Sequence, residues 1–424
     1  MIAEERIKEV CSTKRLSETQ EKILKTVWET KNPVTRQEIA KKTGLKTRSV
    51  NMHLFNLRRA GLVKMSGRGY VITEEGKERI GLPKINKEMA EKNLTKRPLI
   101  EPRKDRDFEY LQTFNTGAVV IDDKVHFLYR AVGKDYISRF GYANSKDGLH
   151  IDERLDEPVY QHKGTHPSFY SYVTGGSVGG VEDPRIVRID DKVYVTYTVC
   201  DDGLSVALAS IKVEDFLNKR WNQARVRVIS PRGETHKNWV LFPEKIWGKY
   251  ALLHSISPSI LINYFDDLEF EGENFIKSYY HGEPVGEWKG GWEGWVKGVG
   301  PPPIRTDYGW LVFYHALRKD NLGGYCIGSM ILDIDNPTSI RFRKKEPILT
   351  PWDIRDGVKP NIVYTCGAVV KDGRLLIYYG AADTRVCVAY ANLDEFLENL
   401  TRENYERVRA LKTVELKEDV GRTL

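Results

Sequence analysis

The sequence predicts an all-β five-bladed β-propeller preceded by a small α/β winged helix-turn-helix domain. The main observation is an internal repeat: five strand–turn–strand stretches occupy residues 118–131, 185–199, 242–255, 302–316 and 367–380. Each second strand ends on an aromatic residue or a histidine, namely Tyr129, Tyr197, His254, Tyr314 and Tyr379. The intervals between them are 68, 57, 60 and 65 residues, with no helical period in between. Hairpin repeats of this length are typical of propeller blades.

Propeller symmetry also predicts where a site lies. Equivalent positions of all blades form a ring around the central channel, so the polar residues that follow the aromatic positions are expected to converge. Arg130 and His315 are among them. Convergence of this kind builds a binding site from residues that are far apart in sequence. The alternative is that these residues only finish their hairpins.

The composition excludes several classes of protein. The 424 residues are 41% hydrophobic, enough for two or three domains with cores of their own. The five cysteines are widely spaced without a Cys-x-x-Cys pair, so we expect neither disulfides nor a metal site. The first ten residues contain five charged ones and no apolar stretch, so they do not resemble a signal peptide. No apolar run in the sequence approaches the length of a membrane span. We therefore expect a cytoplasmic protein with no metal, no other cofactor and no membrane partner.

Three helices followed by a two-stranded ribbon are predicted near the N-terminus. The helices are expected at residues 16–28, 35–44 and 46–60, and the ribbon at residues 62–73 with its turn at 67–69. Ser17 with Gln20 and Thr35 with Glu38 are expected to form capping boxes at the first two helices. This order of elements is that of a winged helix-turn-helix, and the stretch resembles bacterial and archaeal winged-helix transcription regulators.

This first domain is expected to bind DNA. Residues 1–100 contain 23 Lys and Arg against 12 Glu and no Asp, a net charge of +11, whereas the rest of the chain carries −4. Arg and Asn read base edges, Lys and Ser contact phosphates, and an arginine at the wing tip enters the minor groove or contacts phosphates. The predicted DNA contacts are Lys46, Arg48, Ser49, Asn51, His53 and, at the wing tip, Arg68. The alternative is a winged helix used only for protein contacts.

Five motifs lie along the repeat region. They are Phe114-Asn115-Thr116-Gly117-Ala118, Ser145-Lys146-Asp147-Gly148, Gly180-Val181-Glu182-Asp183-Pro184-Arg185, Lys297-Gly298-Val299-Gly300-Pro301-Pro302-Pro303, and Cys366-Gly367-Ala368 with Tyr379-Gly380-Ala381-Ala382-Asp383. In this order they resemble the motifs of glycoside hydrolase family 130, the β-mannoside phosphorylases and their relatives. Any one of them alone would be unspecific.

The resemblance implies a five-bladed propeller with a sugar pocket in its channel. It also implies that Asp183 is the general acid, which protonates the glycosidic oxygen through a sugar hydroxyl. Inorganic phosphate would attack the anomeric carbon from the opposite face and release an α-mannose 1-phosphate type of product. The residues assigned to sugar binding are Asn115, Asp147, Arg185, Tyr314 and Asp383.

The residues themselves support part of this scheme. Inverting chemistry needs an acid on one face of the sugar and a nucleophile on the other. Neighbouring strand residues point to opposite faces, so Glu182 and Asp183 are not expected to form an acid–base pair. Arg185 could also brace Asp183. Phosphate needs no protein base but does need cations to hold it. The residues assigned to phosphate binding are Arg130, Lys297 and His315.

One departure from the family pattern concerns the phosphate site. Phosphorylases of the family usually carry His-Arg-Pro where this chain has His254-Ser255-Ile256. Ser255 supplies no charge, although Lys237 or Arg232 could do so. Three outcomes remain open: a phosphorylase with a weaker anion site, an inverting hydrolase that uses water, or a pocket that binds sugar without turnover.

We predict that residues 107–424 catalyse inverting phosphorolysis of β-1,4-manno-oligosaccharides to mannose 1-phosphate, with inorganic phosphate as co-substrate. Residues 1–82 are predicted to form the DNA-binding domain, and residues 83–106 a linker. The competing interpretation is a transcription regulator whose propeller senses a mannose-type oligosaccharide without turnover. That interpretation predicts a homodimer, because helix-turn-helix proteins usually read two half-sites.

Overall fold

The computed structural model describes residues 16–30, 34–66, 69–73, 76, 79–80, 98–162, 178–201, 203–231, 234–270, 276, 291–319, 324–351 and 357–402. The chain divides into two compact units, Met1–Lys92 and Asn93–Leu424.

The first unit contains three helices and a two-stranded ribbon. They are α1 (Glu18–Glu29), α2 (Arg36–Thr43), α3 (Thr47–Arg59), β1 (Val63–Ser66) and β2 (Gly69–Ile72). Both predicted capping boxes are present, at Ser17 with Gln20 and at Thr35 with Glu38. Each box satisfies backbone N–H groups that a first helical turn leaves unpaired. Gly44 ends α2 in the left-handed conformation, with φ of 72°, which glycine adopts at no steric cost.

The core of the first unit lies between its helices and its ribbon. The inward stripe of α3, formed by Val50, Leu54 and Leu57, is fully buried with apolar residues of α1. Tyr70 of β2 pairs with Val34, which ties the ribbon to the segment before α2. The predicted winged helix-turn-helix order of elements is confirmed for the described residues.

The second unit is built mainly of antiparallel strands in its described residues. Five strand units follow one another along the chain. The first contains β3 (Gln112–Ile121), β4 (Lys124–Val132), β5 (Ile137–Ser145) and β6 (Glu153–Arg154), and the second contains β7 (Gly179–Ile189), β8 (Lys192–Asp201), β9 (Gly203–Lys212) and β10 (Arg225–Val228). The third contains β11 (Val240–Leu241), β12 (Tyr250–Ser255) and β13 (Leu261–Phe265). The fourth contains β14 (Glu293–Val299), β15 (Ile304–Thr306), β16 (Gly309–Arg318), β17 (Tyr325–Leu332) and β18 (Ile340–Arg343), and the fifth contains β19 (Val363–Lys371), β20 (Arg374–Ala381) and β21 (Arg385–Asn392). A short helix, α4 (Val213–Leu217), follows β9, and residues 393–402 are helical.

The predicted repeat is confirmed by the middle strands of the units. Strands β4, β8, β16 and β20 each begin five residues before the predicted aromatic position, and β12 begins four residues before His254. In β4, β8, β16 and β20 the tyrosine lies opposite a small residue on the next strand, as Tyr129 does opposite Gly141 and Tyr314 opposite Gly328. A Cβ built on Gly141 would lie 2.2 Å from Tyr129 Cζ. Glycine therefore makes room for the ring.

Apolar clusters join each strand unit to the next. They connect the first unit with the second, the second with the third, the third with the fourth, the fourth with the fifth, and the fifth with the first. The first strands approach closely: a Cβ on Gly117 of β3 would lie 2.5 Å from the Pro184 carbonyl oxygen of β7. The first two units also share a sheet, through a two-residue parallel pairing of β5 with β7.

The C-terminal end of the predicted linker belongs to the second unit. Ile100 is buried and pairs with Val386 of β21. Residues 83–97 of that predicted linker lie outside the described residues. Within the described part of the chain, no helix is both long and apolar enough to cross a membrane.

Candidate active site

A backbone irregularity recurs in the first strand of four units. Register shifts lie between Phe114 and Gly117 in β3, Glu182 and Arg185 in β7, Val296 and Gly298 in β14, and Thr365 and Gly367 in β19. In the first two shifts, Asn115 and Asp183 have φ of 45° and 55°. A bulge re-aims the side chains of its strand, and bulges are common beside active sites. Positive φ at a residue other than glycine means that the surroundings hold the backbone there.

The shift in β7 changes the orientation of Glu182 and Asp183. The expectation that they point to opposite faces is wrong, because the left-handed backbone of Asp183 interrupts the regular pleat. Arg130 Nη2 lies 2.8 Å from Glu182 Oε1, and Arg130 Nη1 lies 3.5 Å from Asp183 Oδ1. Lys237 Nζ lies 2.7 Å from Glu182 Oε2 and 3.9 Å from Asp183 Oδ2. Both carboxylates therefore face the same two cations.

These four charged residues are almost completely buried. Burial alone would lower the pKa of Lys237, but the neighbouring Glu182 and Asp183 raise it above its usual value. Buried charges persist only when they are paired, so each group in this arrangement depends on the others. Asn115 Nδ2 donates to Asp183 Oδ1 at 2.9 Å, which fixes that carboxylate from a second strand unit.

Asp383 extends the cluster to the fifth strand unit. Burial raises the pKa of Asp383 to about 6, although Lys359 and Arg130 act in the opposite direction. Lys359 Nζ lies 3.8 Å from Asp383 Oδ2, and burial lowers the pKa of this lysine. Gln112 Nε2 donates to the Asp383 carbonyl oxygen at 2.6 Å and holds the turn in place. We call Arg130, Glu182, Asp183, Lys237, Lys359 and Asp383 the charged cluster.

Arg185 braces the backbone beneath this cluster. Its Nη1 donates to the Asp183 carbonyl oxygen at 2.7 Å, and its Nε donates to the Gly300 carbonyl oxygen at 2.8 Å. Its Nη2 donates to Asn238 Oδ1 at 2.8 Å. The guanidinium is buried, and these bonds connect three strand units. It contacts the carbonyl of Asp183 rather than the carboxylate.

Lys297 and His315 lie on the neighbouring strands β14 and β16. Lys297 Nζ lies 3.2 Å from the ring centroid of Trp295, and burial lowers the pKa of this lysine to about 8. His315 Nε2 accepts the Thr365 N–H at 2.9 Å, and the ring stacks on Tyr364 with centroids 3.7 Å apart. An accepting nitrogen carries no proton, so His315 offers an Nδ1–H donor rather than an imidazolium charge.

Asp147 and Tyr314 are engaged elsewhere in the second unit. Asp147 Oδ1 accepts from the backbone N–H groups of Leu149 and His150, within its own turn. Tyr314 is fully buried in the core between the third and fourth units, and its hydroxyl donates to Glu293 Oε1 at 2.5 Å. The structure therefore brings Asn115, Asp183, Asp383 and Arg130 together but gives these two residues other contacts.

Sequence reasoning missed several residues of the site. Tyr364, whose hydroxyl donates to Asn238 Oδ1 at 2.6 Å, was not singled out, and neither was Lys359. Tyr325 lies near the cluster: burial raises its pKa to about 12, while Lys237 acts against that. The sequence offers one signal for this part of the site, which is the pair of polar residues Lys237 and Asn238 shortly before β11.

The segment that departs from the family pattern carries no cation. His254 Nε2 lies 2.7 Å from Asn263 Oδ1, and Ser255 Oγ donates to the Ser257 carbonyl oxygen at 3.0 Å. Of the two cations considered as replacements, Lys237 belongs to the charged cluster, and Arg232 lies outside the described residues.

Five of the six predicted DNA contacts lie on α3 or, as Lys46 does, at its N-cap. Lys46, Arg48 and Asn51 are exposed, whereas Ser49 and His53 are half-buried. Arg68 lies outside the described residues. Sequence reasoning omitted the exposed apolar residues of this helix, which are Met52 and Phe55.

Comparison with known proteins relates both units to established families. Residues 84–403 match a glycoside hydrolase family 130 model described as beta-1,4-mannooligosaccharide phosphorylase, and residues 16–64 match a winged helix-turn-helix DNA-binding model. A 1,2-beta-oligomannan phosphorylase of Thermoanaerobacter sp. is 36% identical over 320 residues, which are 72% of this chain and 98% of that enzyme. A beta-1,4-mannooligosaccharide phosphorylase of Ruminococcus albus is 31% identical over 267 residues, which are 60% of this chain and 73% of that enzyme.

A solved structure gives the same relation. The beta-1,2-mannobiose phosphorylase of Listeria innocua, in complex with beta-1,2-mannobiose, superposes with a TM-score of 0.57 at 25% identity. The match covers 72% of this chain and 98% of that enzyme. The chain belongs to glycoside hydrolase family 130, and it carries an N-terminal winged helix-turn-helix domain.

Proposed function

We propose that this protein catalyses inverting phosphorolysis of β-linked manno-oligosaccharides. The observation that carries the proposal is the buried pair Glu182 and Asp183, held in a bulge by Arg130 and Lys237. Two cations beside a buried acid suit a reaction in which an anion attacks a sugar.

In the proposed step, a phosphate oxygen forms a bond to the anomeric carbon while the bond to the glycosidic oxygen breaks. Asp183 supplies the proton that the leaving oxygen receives, through a sugar hydroxyl. The products are α-mannose 1-phosphate and an oligosaccharide that is one mannose shorter. Asn115, which donates to Asp183 Oδ1, keeps the acid aimed at the sugar. Asp383 is proposed to accept hydrogen bonds from sugar hydroxyls.

Charge balance supports phosphate as the nucleophile. In the reacting state, in which Asp183 holds the proton that it delivers, the three cations of the charged cluster (Arg130, Lys237 and Lys359) face two carboxylates, Glu182 and Asp383. The surplus positive charge favours an anion. We propose that Arg130 and Lys237 hold phosphate together with Lys297 and the Nδ1–H of His315. Lys237 then supplies the charge that Ser255 does not.

The fold on which this site rests is proposed to be a closed five-bladed propeller. The apolar clusters that run from each strand unit to the next, and from the fifth back to the first, support closure. The charged cluster draws on the first, second and fifth units and on the segments that precede the third and fifth. A shared central channel accounts for that convergence.

We propose β-1,2-linked mannosides as the preferred substrates. The prediction of β-1,4 linkage rests on family resemblance, and relatives with both linkages occur. The relatives named for β-1,2 linkage include the Thermoanaerobacter enzyme at 36% identity, against 31% for the β-1,4 enzyme. The preference is therefore open to direct measurement.

The test is turnover by the full chain. The protein is incubated with β-1,2-mannobiose and with β-1,4-mannobiose, each with and without inorganic phosphate, and mannose 1-phosphate and free mannose are measured. Phosphate-dependent mannose 1-phosphate is the expected product, and an Asp183→Asn variant should bind sugar but form none. Free mannose without phosphate dependence would mean a hydrolase. Sugar binding without either product would favour the sugar-sensing regulator.

We also propose that the first unit binds duplex DNA. The supporting observations are the match to a winged helix-turn-helix DNA-binding model and the exposed Lys46, Arg48 and Asn51 at the N-terminal end of α3. Binding of random-sequence duplex DNA by the full chain, with affinity that falls as salt rises, is the expected result. Light scattering with and without DNA tests the predicted homodimer.

A further inference from the structure

The outward face of α3 is centred on two apolar side chains. The buried stripe of Val50, Leu54 and Leu57 defines the inward direction. At about 100° per residue, the opposite direction falls on Met52, with Arg48 one turn before it and Phe55 almost one turn after it. Met52 is 57% exposed and Phe55 is 61% exposed. We call Arg48, Met52 and Phe55 the outward face.

The surroundings of this face are cationic. Helix α3 contains no acidic residue. Lys46 and Arg48 are exposed at its N-terminal end, and Arg58 is exposed near its C-terminal end. Single exposed apolar residues are common on protein surfaces, whereas adjoining ones indicate an interaction surface. A cationic rim around an apolar pair fits a polyanion that also presents methyl groups.

We propose that Met52 and Phe55 recognise thymine methyl groups in the major groove of DNA. This inference rests on the proposed DNA binding and specifies what the helix reads. The thymine C5-methyl group points into the major groove, where apolar side chains contact it. Side chains three residues apart on a helix lie about 5–6 Å apart, and successive bases lie about 3.4 Å apart along a strand. The recognised sequence therefore contains thymines at positions one or two base pairs apart, with Arg48 beside them on guanine or phosphate.

The first experiment uses the unmodified full chain. Bound duplexes are selected from a random-sequence DNA library, and the preferred duplex is then resynthesised with deoxyuridine in place of each thymine in turn. Deoxyuridine pairs with adenine as thymidine does, and the two nucleosides differ only in the C5-methyl group. We expect about a four-fold loss of affinity at each of two neighbouring positions, the effect of one buried methyl-sized group. Specific binding without any deoxyuridine effect overturns the inference but leaves DNA binding in place.

The second experiment couples the protein to the DNA. In a Met52→Ala and Phe55→Ala double variant, thymine and deoxyuridine duplexes should bind equally well, while Arg48→Ala should weaken both to the same extent and keep their difference. Salt-dependent binding of random-sequence duplex DNA by the variant serves as the control for folding of the first unit, because phosphate contacts do not depend on Met52 or Phe55. If the double variant instead changes the oligomeric state in light scattering and keeps the methyl effect, the face packs on a second copy and the inference fails. Absence of any DNA binding by the unmodified chain overturns the inference and the DNA-binding proposal together.

Discussion

At the scale of single residues, the surroundings of Asp383 shift the pKa of its carboxyl group toward neutral pH. Burial raises its pKa to about 6, so the group is mostly neutral below that pH and ionised above it. An ionised carboxylate is the better acceptor for sugar hydroxyls. We therefore expect kcat/KM for the oligosaccharide, measured at saturating phosphate, to rise with pH up to about 6 and then level off.

The matching variant is Asp383→Asn. It should lower kcat/KM by about 10- to 100-fold, the loss expected when a hydrogen bond to a charged group is weakened. The rise through pH 6 should also disappear, because an amide does not titrate there. Ionisation of phosphate itself affects both proteins equally, so the comparison isolates Asp383. An unchanged pH profile in the variant would contradict the assignment.

Lys297 provides a second pH-dependent prediction. Burial lowers its pKa to about 8, so its cationic fraction falls as pH rises through that value. If Lys297 holds phosphate, KM for phosphate should increase above pH 8 with little change in kcat. Lys297→Arg keeps its charge at all these pH values and should remove the increase. Lys297→Met should raise KM for phosphate throughout the range. A Lys297→Met variant with unchanged phosphate KM would show that Lys237 and Arg130 suffice.

At the scale of the strand unit, the contact of Tyr314 with Gly328 makes a stability prediction. A Cβ at Gly328 would lie 2.3 Å from Tyr314 Cζ, and the tyrosine cannot retreat without losing its bond to Glu293. Gly328→Ala should therefore cost about 1–3 kcal/mol of stability, the usual price of overpacking. Melting scans at one fixed rate measure the effect.

Gly324→Ala is the matched control for this prediction. Its added Cβ would meet Pro351 Cγ at 3.5 Å, an ordinary contact. The control should have the same melting temperature as the unmodified protein, and that of Gly328→Ala should be several degrees lower. Equal melting of both variants would mean that the ring and its opposing strand move apart without loss.

The strand repeat was predictable because its causes are local. Apolar runs, polar turns and the aromatic position five residues after the turn all lie within one hairpin. Asn115, Asp183 and Asp383 were predictable for a related reason, because each lies within a short motif that resembles one of glycoside hydrolase family 130. The joint orientation of Glu182 and Asp183 was not predictable, because the register shift depends on how β7 packs against the neighbouring strand.

Lys359 shows the other limit of sequence reasoning. It lies before β19 in a segment without a periodic pattern, and only tertiary packing brings it within 3.8 Å of Asp383. On α3, the predicted DNA contacts are polar residues and do not include Met52 and Phe55. Their exposure became evident once Val50, Leu54 and Leu57 defined the buried side.

At the scale of the whole molecule, the two proposed activities depend on separate sets of residues. The charged cluster, Lys297 and His315 all belong to the second compact unit, while Lys46, Arg48 and the outward face of α3 belong to the first. Each unit has its own buried core. A chain that begins at residue 93 should therefore retain phosphorolysis, with kcat/KM within about two-fold of the full chain.

The same truncated chain should lose DNA binding entirely. In the full chain, a separate measurement with DNA and oligosaccharide together tests whether the two units influence one another. If the units act independently, DNA leaves kcat/KM unchanged and oligosaccharide leaves DNA affinity unchanged. If oligosaccharide does change DNA affinity, thermodynamic linkage requires that DNA change oligosaccharide affinity by the same factor. Equal factors measured in both directions would establish a sugar-responsive regulator that is also an enzyme. A truncated chain that loses more than ten-fold in kcat/KM would contradict the assignment of catalysis to the second unit alone.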